Sequence, residues 1–424
     1  KYLSGHAEPE IDDLALGSSY DTAVVIPAYR ERYASIKRLI LALPERCLVI
    51  LVINAPRPDT ATLDCLQALR AEPQIANGRW WTLHRLASGH STLIFDYCTE
   101  DHCPPTKQGV GLARKLGADA ALMLFADGTL ATDRIYLTDA DARLPSDYLT
   151  RSWPSSASGV VFPFKHLLTG SNEQKTATLL FECRLHHYTS GLAFAKSRYA
   201  FPTLGSLIGV RAKAYAKVRG VPKRSAGEDF YLLNKLAKVG DVVPLRGRAI
   251  RLSNRQSNRV PIGTGPAMHS LVSNLQANEW PTFYAPSSFR TLGLFLSALN
   301  QITRPEQLSD LQDPAIKHYI KSTQLVAHLS NLKQSAPSHT QFQRAVDAWF
   351  DGFRQLKFIH FLRDHWHPQV PLNQVLEAPW FQTPNRASMG NARYRKLQQL
   401  ALAKPRKPPV ARRVAFRRLV CRLR

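Results

Sequence analysis

Short apolar runs bounded by turn residues alternate with helical spacings through the first half of this chain. Thr22-Ala23-Val24-Val25-Ile26-Pro27-Ala28-Tyr29-Arg30-Glu31 reads as a buried strand broken by a proline, then a polar loop leading into a helical run over residues 35–43. Residues 48–53 form a second apolar run that ends at Asn54-Ala55-Pro56, and Asp59-Thr60 can start the next helix. The opening is β-α-β-α, and it predicts an α/β domain.

Further along, Ile135-Tyr136-Leu137 leads into Thr138-Asp139-Ala140-Asp141. Residues two apart in a strand point the same way, so Asp139 and Asp141 can converge on one hard divalent cation if the strand extends that far. An acidic turn closing the strand is the competing reading, because Leu144-Pro145-Ser146 follows at once. Residues 159–164 read as a strand and residues 171–199 as a long helix. Its adjacent His186 and His187 cannot share a helix face, which points to a structural role. Residues 205–210 look like a glycine-containing strand and 211–219 like a helix. Ser225-Ala226-Gly227-Glu228-Asp229 then introduces a helix over 230–239 that stops at Gly240. At a helix N-terminus Glu228 and Asp229 are expected to ionise readily, which suits a general base and equally an ordinary helix start.

In this order the motifs resemble those of the family 2-like glycosyltransferases with a GT-A fold. The residues concerned are Val25-Ile26-Pro27-Ala28-Tyr29-Arg30-Glu31, the Asn54 strand end, Lys107-Gln108-Gly109-Val110-Gly111-Leu112-Ala113-Arg114, Asp139-Ala140-Asp141 and Gly227-Glu228-Asp229. The resemblance covers about residues 22–250. It implies a Rossmann-like mixed sheet flanked by helices, a nucleotide-diphosphate sugar as donor, and transfer of the sugar to an acceptor hydroxyl. Pro27, Ala28, Tyr29 and Glu31 stand where the family receives base and ribose, and Asn54 stands where an acid usually faces the base. Gly109 and Arg114 fall at the start of the donor-binding helix. Asp139, as a donor and metal contact, and Asp141 match the metal-binding D-x-D, which implies Mn2+ or Mg2+. Asp229, preceded by Glu228, matches the base of inverting members. The chain departs from the pattern at Asn54, at Lys107 and Lys115 where asparagines are usual, and at Arg143 where an acid is frequent.

The chemistry calls for these residue types independently. A cation bridging the phosphates stabilises the charge on a departing nucleotide, and a carboxylate near the acceptor takes its proton. Arg251, Arg255 and Arg259 precede the turn-rich Val260-Pro261-Ile262-Gly263, which could close over a donor, with Arg255 and Arg259 on its diphosphate. A plain interdomain linker explains that stretch as well. His269 is a candidate to complete a metal shell.

Composition adds the outline. The chain has 424 residues, 44% of them hydrophobic, enough for a substantial core. Its expected division is an N-terminal extension (1–21), a GT-A-like domain (22–255), a helical C-terminal subdomain (256–403) and a basic amphipathic tail (404–424). Helical stretches are expected at 289–299, 314–332 and 341–362. The six cysteines form no C-x-x-C pair, although Cys98, His102 and Cys103 lie close enough in sequence to weigh as a metal site against a polar loop.

The formal net charge of +24 asks for an anionic partner. From Val410 onward, Val414, Phe416, Leu419, Val420 and Leu423 interleave with arginines, as in a helix lying on an anionic membrane; a disordered basic terminus is the alternative. No apolar run is long enough to span a bilayer, and the first ten residues lack a signal-peptide core. The expected location is the cytoplasm, with a peripheral hold on the inner face of a membrane and a role in cell-envelope glycan or glycolipid synthesis. No specific nucleic-acid partner is expected. A nucleotidyltransferase would need a glycine-rich phosphate loop after its first strand, which Pro27-Ala28-Tyr29-Arg30-Glu31 does not supply. A non-catalytic basic scaffold binding membranes or nucleic acid is the other alternative.

Overall fold

The computed structural model describes residues 1–257, 263–382 and 389–402. Arg259 and the basic tail 404–424 lie outside them. In chain order the elements are β1 (Thr22–Ala28), α1 (Tyr33–Ile40), β2 (Cys47–Asn54), α2 (Thr60–Arg70), β3 (Gln74–Asn77), β4 (Trp81–Arg85), β5 (Ser91–Tyr97), α3 (Gly109–Ala126), β6 (Arg134–Leu137), β7 (Ala157–Val161) and β8 (Phe164–His166). They continue with α4 (Asn172–Phe194), β9 (Ile208–Arg211), α5 (Ala212–Lys217), α6 (Glu228–Leu236), β10 (Asp241–Pro244), β11 (Ile250–Leu252) and α7 (Thr264–Gln276). Then come α8 (Pro286–Gln301), α9 (Pro314–Ser322), α10 (Leu325–Gln334), α11 (His339–Trp349), α12 (Gly352–His365), α13 (Leu372–Leu376), α14 (Pro379–Gln382) and α15 (Asn391–Leu402).

Two compact units result: Lys1–Thr169 with Thr203–His269, and Gly170–Pro202 with the described residues from Ser270 on. The first is a mixed α/β unit. Among the described residues its large sheet runs β10-β7-β9-β6-β1-β2-β5-β4-β3, and β8 pairs with β11 in a separate ribbon. The centre is parallel (β6, β1, β2, β5), and β1, β2 and β5 are buried at every position, as strands covered on both faces are. Asp59 caps α2 by accepting the Thr62 N–H, as its place in the sequence foretold. Pro27 fits the central strand for a reason read from the ladder. The Val25 carbonyl accepts the Thr138 N–H, so Pro27, two residues on, faces the same side, where β6 has already ended.

The first residues belong to this unit rather than trailing from it. Tyr2 donates its hydroxyl to Asp119 Oδ1 at 2.7 Å, and the Glu8 N–H donates to Oδ2 at 2.9 Å. Lys115 Nζ meets Asp119 at 2.5 Å, the His6 carbonyl at 2.7 Å and Glu8 at 3.3 Å. A buried ammonium is tolerated only when compensated in this way.

The second unit is helical among its described residues. Ser171 starts α4 with a capping box closed by Gln174, and α4 groups here although the sequence runs it through the middle of 22–255. His187 sits in an aromatic cluster, donating through Nε2 to the Tyr284 carbonyl at 2.8 Å while Nδ1 accepts from the Trp380 indole at 3.3 Å. Burial lowers its pKa to about 4, so it is a neutral core residue. The expected helix 314–332 is two helices, because Gln324 takes a left-handed φ of 50°. The expected helix 341–362 breaks at Asp351, which caps α12. No helix of the described residues is long and apolar enough to cross a membrane.

Candidate active site

Parallel β1 and β6 are neighbours, so the loops leaving their C-terminal ends fall on one edge of the sheet, where open α/β sheets place ligands. Glu31 lies just beyond β1. Beyond β6 the strand stops at Leu137, two residues short of Asp139, and a turn begins in which the Ala142 N–H donates to the Asp139 carbonyl at 3.0 Å. Asp139 and Asp141 are therefore carried by a turn and not by one strand face, and each goes to a different arginine.

Arg114, on the second turn of α3, takes Asp139. Its Nη2 donates to Asp139 Oδ1 at 2.5 Å, its Nε to Glu228 Oε1 at 3.0 Å and its Nη1 to the Gly205 carbonyl at 2.9 Å. The side chains of Arg114 and Glu228 are 5% and 6% exposed, against 39% for Asp139. Burial by itself would lower the Arg114 pKa, but Asp139 and Glu228 outweigh it and hold the guanidinium charged. Two glycines make room. A Cβ on Gly205 would lie 2.3 Å from Arg114 Nη2, and one on Gly111 would lie 2.5 Å from the backbone of Pro222 and Arg224. The Gly111 N–H donates to the Arg224 carbonyl at 2.9 Å, so the loop before α6 is seated on the first turn of α3. That contact brings the E-D pair to the D-x-D turn.

Arg255 takes Asp141. The β8–β11 ribbon and a backbone bridge between Arg143 and Arg251 carry the chain past the D-x-D turn. Asn254 anchors it there: its side-chain amide donates to the Thr169 carbonyl at 3.0 Å, and its Oδ1 accepts the Thr169 hydroxyl at 2.6 Å. Arg255 then forks onto Glu31, with Nη1 on Oε2 at 3.0 Å and Nη2 on Oε1, and the same Nη2 lies 3.1 Å from Asp141 Oδ2. Burial raises the Glu31 pKa against the pull of Arg255. It also raises that of Asp141 to about 6, where Asp139 and Glu31 add repulsion and Arg255 opposes them.

Asp229 is the second residue of α6, behind Gly227 in the left-handed region, and its Oδ1 accepts the Phe230 N–H at 2.7 Å. The ready ionisation expected at a helix start is not what the fold produces. Burial, and then the neighbouring Glu228, raise its pKa to about 7, more than the helix amides lower it.

The other sequence candidates separate. Pro27 and Ala28 are buried on β1, in register with Val52 and Ile53; Tyr29 and Arg30 come next, with the Arg30 guanidinium over the Tyr29 ring. Asn54 closes β2 opposite Tyr97. Gly109 begins α3 against Ser225. His269 bonds Gln256 at 3.2 Å. The Asp96 carboxylate is occupied by Arg70 and by the Cys98 and Thr99 N–H groups, which makes the Cys98 loop a capped turn. Among the described residues no three His, Cys, Asp or Glu side chains assemble as a metal site. Sequence reasoning missed the Arg114 bridge to Glu228 and the Asn254 anchor. A charged residue inside the apolar run Leu112-Ala113-Arg114-Lys115-Leu116 was the available signal for the first.

No protein family matches the chain by sequence, and no curated protein does. Among solved structures, a mannosyltransferase from Pyrobaculum calidifontis, in complex with GDP-Man and Mn2+, is similar over 80% of this chain and 90% of its own, at 13% identity and a TM-score of 0.35. So loose a superposition brings none of that enzyme's residues onto this chain.

Proposed function

We propose that this protein is a glycosyltransferase that moves a sugar from a nucleotide-diphosphate donor to an acceptor hydroxyl on a GT-A-like domain, with inversion. One observation carries the reading. Arg114 touches both Asp139 and Glu228, and so joins the D-x-D turn to the E-D helix start at the C-terminal edge of the parallel strands. A site for charge on a leaving diphosphate and a site for a proton acceptor are thereby adjacent.

In the proposed reaction the acceptor oxygen bonds to the anomeric carbon, the bond from that carbon to the phosphate oxygen breaks, and the acceptor proton passes to Asp229. A carboxylate with a pKa near 7 is matched to that task at neutral pH. Arg255 is the exposed cation placed to meet the diphosphate. The loop after β1, Asn54 and the start of α3 would receive the nucleotide.

Support for a divalent ion comes from one contact. A single nitrogen of Arg255 reaches both Asp141 and Glu31, so these oxygens already converge on one positive point, and Mg2+ sites need only one or two carboxylates when the substrate supplies phosphates. Asp141 and Glu31, with Asp139 alongside, are the residues that would hold Mn2+ or Mg2+. When bound, such an ion neutralises the departing diphosphate as a Lewis acid. The acceptor would be a glycan or glycolipid, with the basic tail drawn to an anionic membrane.

Calorimetric titration with UDP, GDP and their sugars, with and without Mn2+, tests the reading. Nucleotide binding is expected, and it should weaken in Asp141→Ala. Salt-sensitive DNA binding with no response to any nucleotide would sink it. Anomeric NMR of the product then reads the stereochemistry.

A further inference from the structure

We propose that a row of three cations beside the proposed site, Lys165, Arg251 and Arg143, receives the acceptor, and that this acceptor is an anionic glycan with several carboxylate or phosphate groups along its chain. The inference rests on the transferase reading and adds to it the chemical class of the acceptor.

The backbone sets the row. Strand β11 lies between β8 and the chain that leaves the D-x-D turn. On the β8 side the Ile250 N–H donates to the Pro163 carbonyl at 2.8 Å, and the Leu252 carbonyl accepts the Leu167 N–H at 2.7 Å. On the other side Arg251 and Arg143 exchange both backbone hydrogen bonds, at 2.9 and 3.0 Å. Arg251 is also in register with Lys165. Paired residues of a pleated sheet project from the same face, so the three basic side chains stand side by side. The opposite face is closed, since Ile250, Leu252, Phe164 and Ala142 are buried, whereas Arg143 and Arg251 are exposed and Lys165 is half-buried.

Nothing in the described residues offsets this charge. Like charges directly opposite one another destabilise a sheet, yet none of the three side chains has a hydrogen bond or an ion pair among the described residues. The acids along the same stretch are held elsewhere, Asp141 by Arg255 at 3.1 Å and Asp147 by Arg151 at 2.9 Å. An anion from outside would relieve the repulsion. The row spans two strand gaps, about 10 Å, and a single carboxylate or phosphate fills one guanidinium fork, so several anionic groups in sequence suit it better than one.

The place of the row ties it to the acceptor. Arg143 is two residues beyond Asp141, at most about 7 Å along the chain, and Arg251 is four residues before Arg255. A glycan laid on the row therefore passes beside the turn that carries Asp141. In the transferase reading Arg255 meets the donor diphosphate, which leaves these three cations for the second substrate.

Calorimetric titration of the full chain with a galacturonate trimer, its uncharged methyl ester and a glycerol phosphate trimer tests this. Wild type should bind at least one charged trimer and not the ester, and the two charged probes tell carboxylate from phosphate. Lys165→Gln/Arg251→Gln/Arg143→Gln should bind that trimer at least about tenfold more weakly, the size of one lost hydrogen bond to a charged group. It should melt no lower than wild type and keep its affinity for UDP and GDP. Arg85→Gln/Lys213→Gln/Lys217→Gln removes the same charge from exposed positions elsewhere and should bind the trimer as wild type does. Equal loss in both triple variants overturns the inference, as do binding of neither charged trimer by wild type, a lower melting temperature of the row variant, and loss of its nucleotide binding, which would give the row to the donor. Release of the row variant from phosphatidylglycerol vesicles with trimer binding unchanged would assign the row to a membrane and overturn it too. If wild type binds UDP or GDP in those cases, the transferase reading survives. If neither nucleotide binds to any form, both fall.

Discussion

The Arg114 guanidinium donates to the Asp139 carboxylate at 2.5 Å from an almost fully buried position, while Asp139 remains 39% exposed. One face of this pair is core and the other borders the proposed site. Arg114 therefore holds the D-x-D turn in place and screens Glu228 behind it.

Removing that charge should cost stability before it tells anything about catalysis. Arg114→Met leaves Glu228 buried without its guanidinium, a loss of about 3–5 kcal/mol. Denaturant unfolding checks it, and pairing the change with Glu228→Gln should recover part of the loss. A single variant as stable as wild type would contradict the bridge.

Asp229 sets a pH dependence with a definite sign. Its folded pKa is about 7, whereas an unfolded aspartate lies near ~3.9. The native state thus binds the extra proton between these values, and Asp229 makes stability fall as pH rises through that window. Asp141, raised to about 6, acts in the same direction. In the proposed reaction the base acts in its ionised form, so kcat/KM should climb about tenfold per pH unit and level off above roughly pH 7. Asp229→Asn should cut turnover about 10²–10⁴-fold with nucleotide affinity retained. It should also flatten the stability profile; retained turnover removes Asp229 as the base.

Gly111→Ala probes the seat of the α6 loop. The atoms nearest the new methyl would be backbone, at 2.5 Å in Arg224 and Pro222, so the loop itself must shift. A cost of about 1–3 kcal/mol is expected. Turnover should fall further than that stability loss accounts for, because Asp229 moves with the loop. Kinetics measured well below the melting temperature separate the two effects.

Tyr2→Phe tests whether the first residues belong to the core. It deletes a 2.7 Å hydrogen bond to Asp119, which is fully buried, and should cost about 1–3 kcal/mol in urea unfolding. A change within about ±0.5 kcal/mol, the usual size for a surface position, would show that the segment is not anchored.

Local chemistry made much of the fold legible. The apolar runs of β1 and β2, the Asp59 cap and the Ser225-to-Asp229 lead into α6 each reveal themselves within a few residues. Element ends were less readable. Leu137 closes β6 because β9, its antiparallel partner, begins at Ile208 opposite it, and nothing near Asp139 in the sequence records that. The breaks at Gln324 and Asp351 interrupt apolar spacings that look continuous, since a left-handed residue or a capping aspartate weighs little in a periodicity.

From the sequence alone came some of the elements, among them β1, β2, α2 and α6, and the positions of five carboxylates, because each depends on neighbours along the chain; the strands β3, β4, β5, β10 and β11 were not read from it. Only the tertiary structure decided which charges meet. Arg114 finds Glu228 across 114 positions, Arg255 finds Glu31 across 224, and Lys115 finds Tyr2 across 113. The rise of the Asp229 pKa is likewise a tertiary property, since desolvation and repulsion act through space and outweigh what the helix start alone implies.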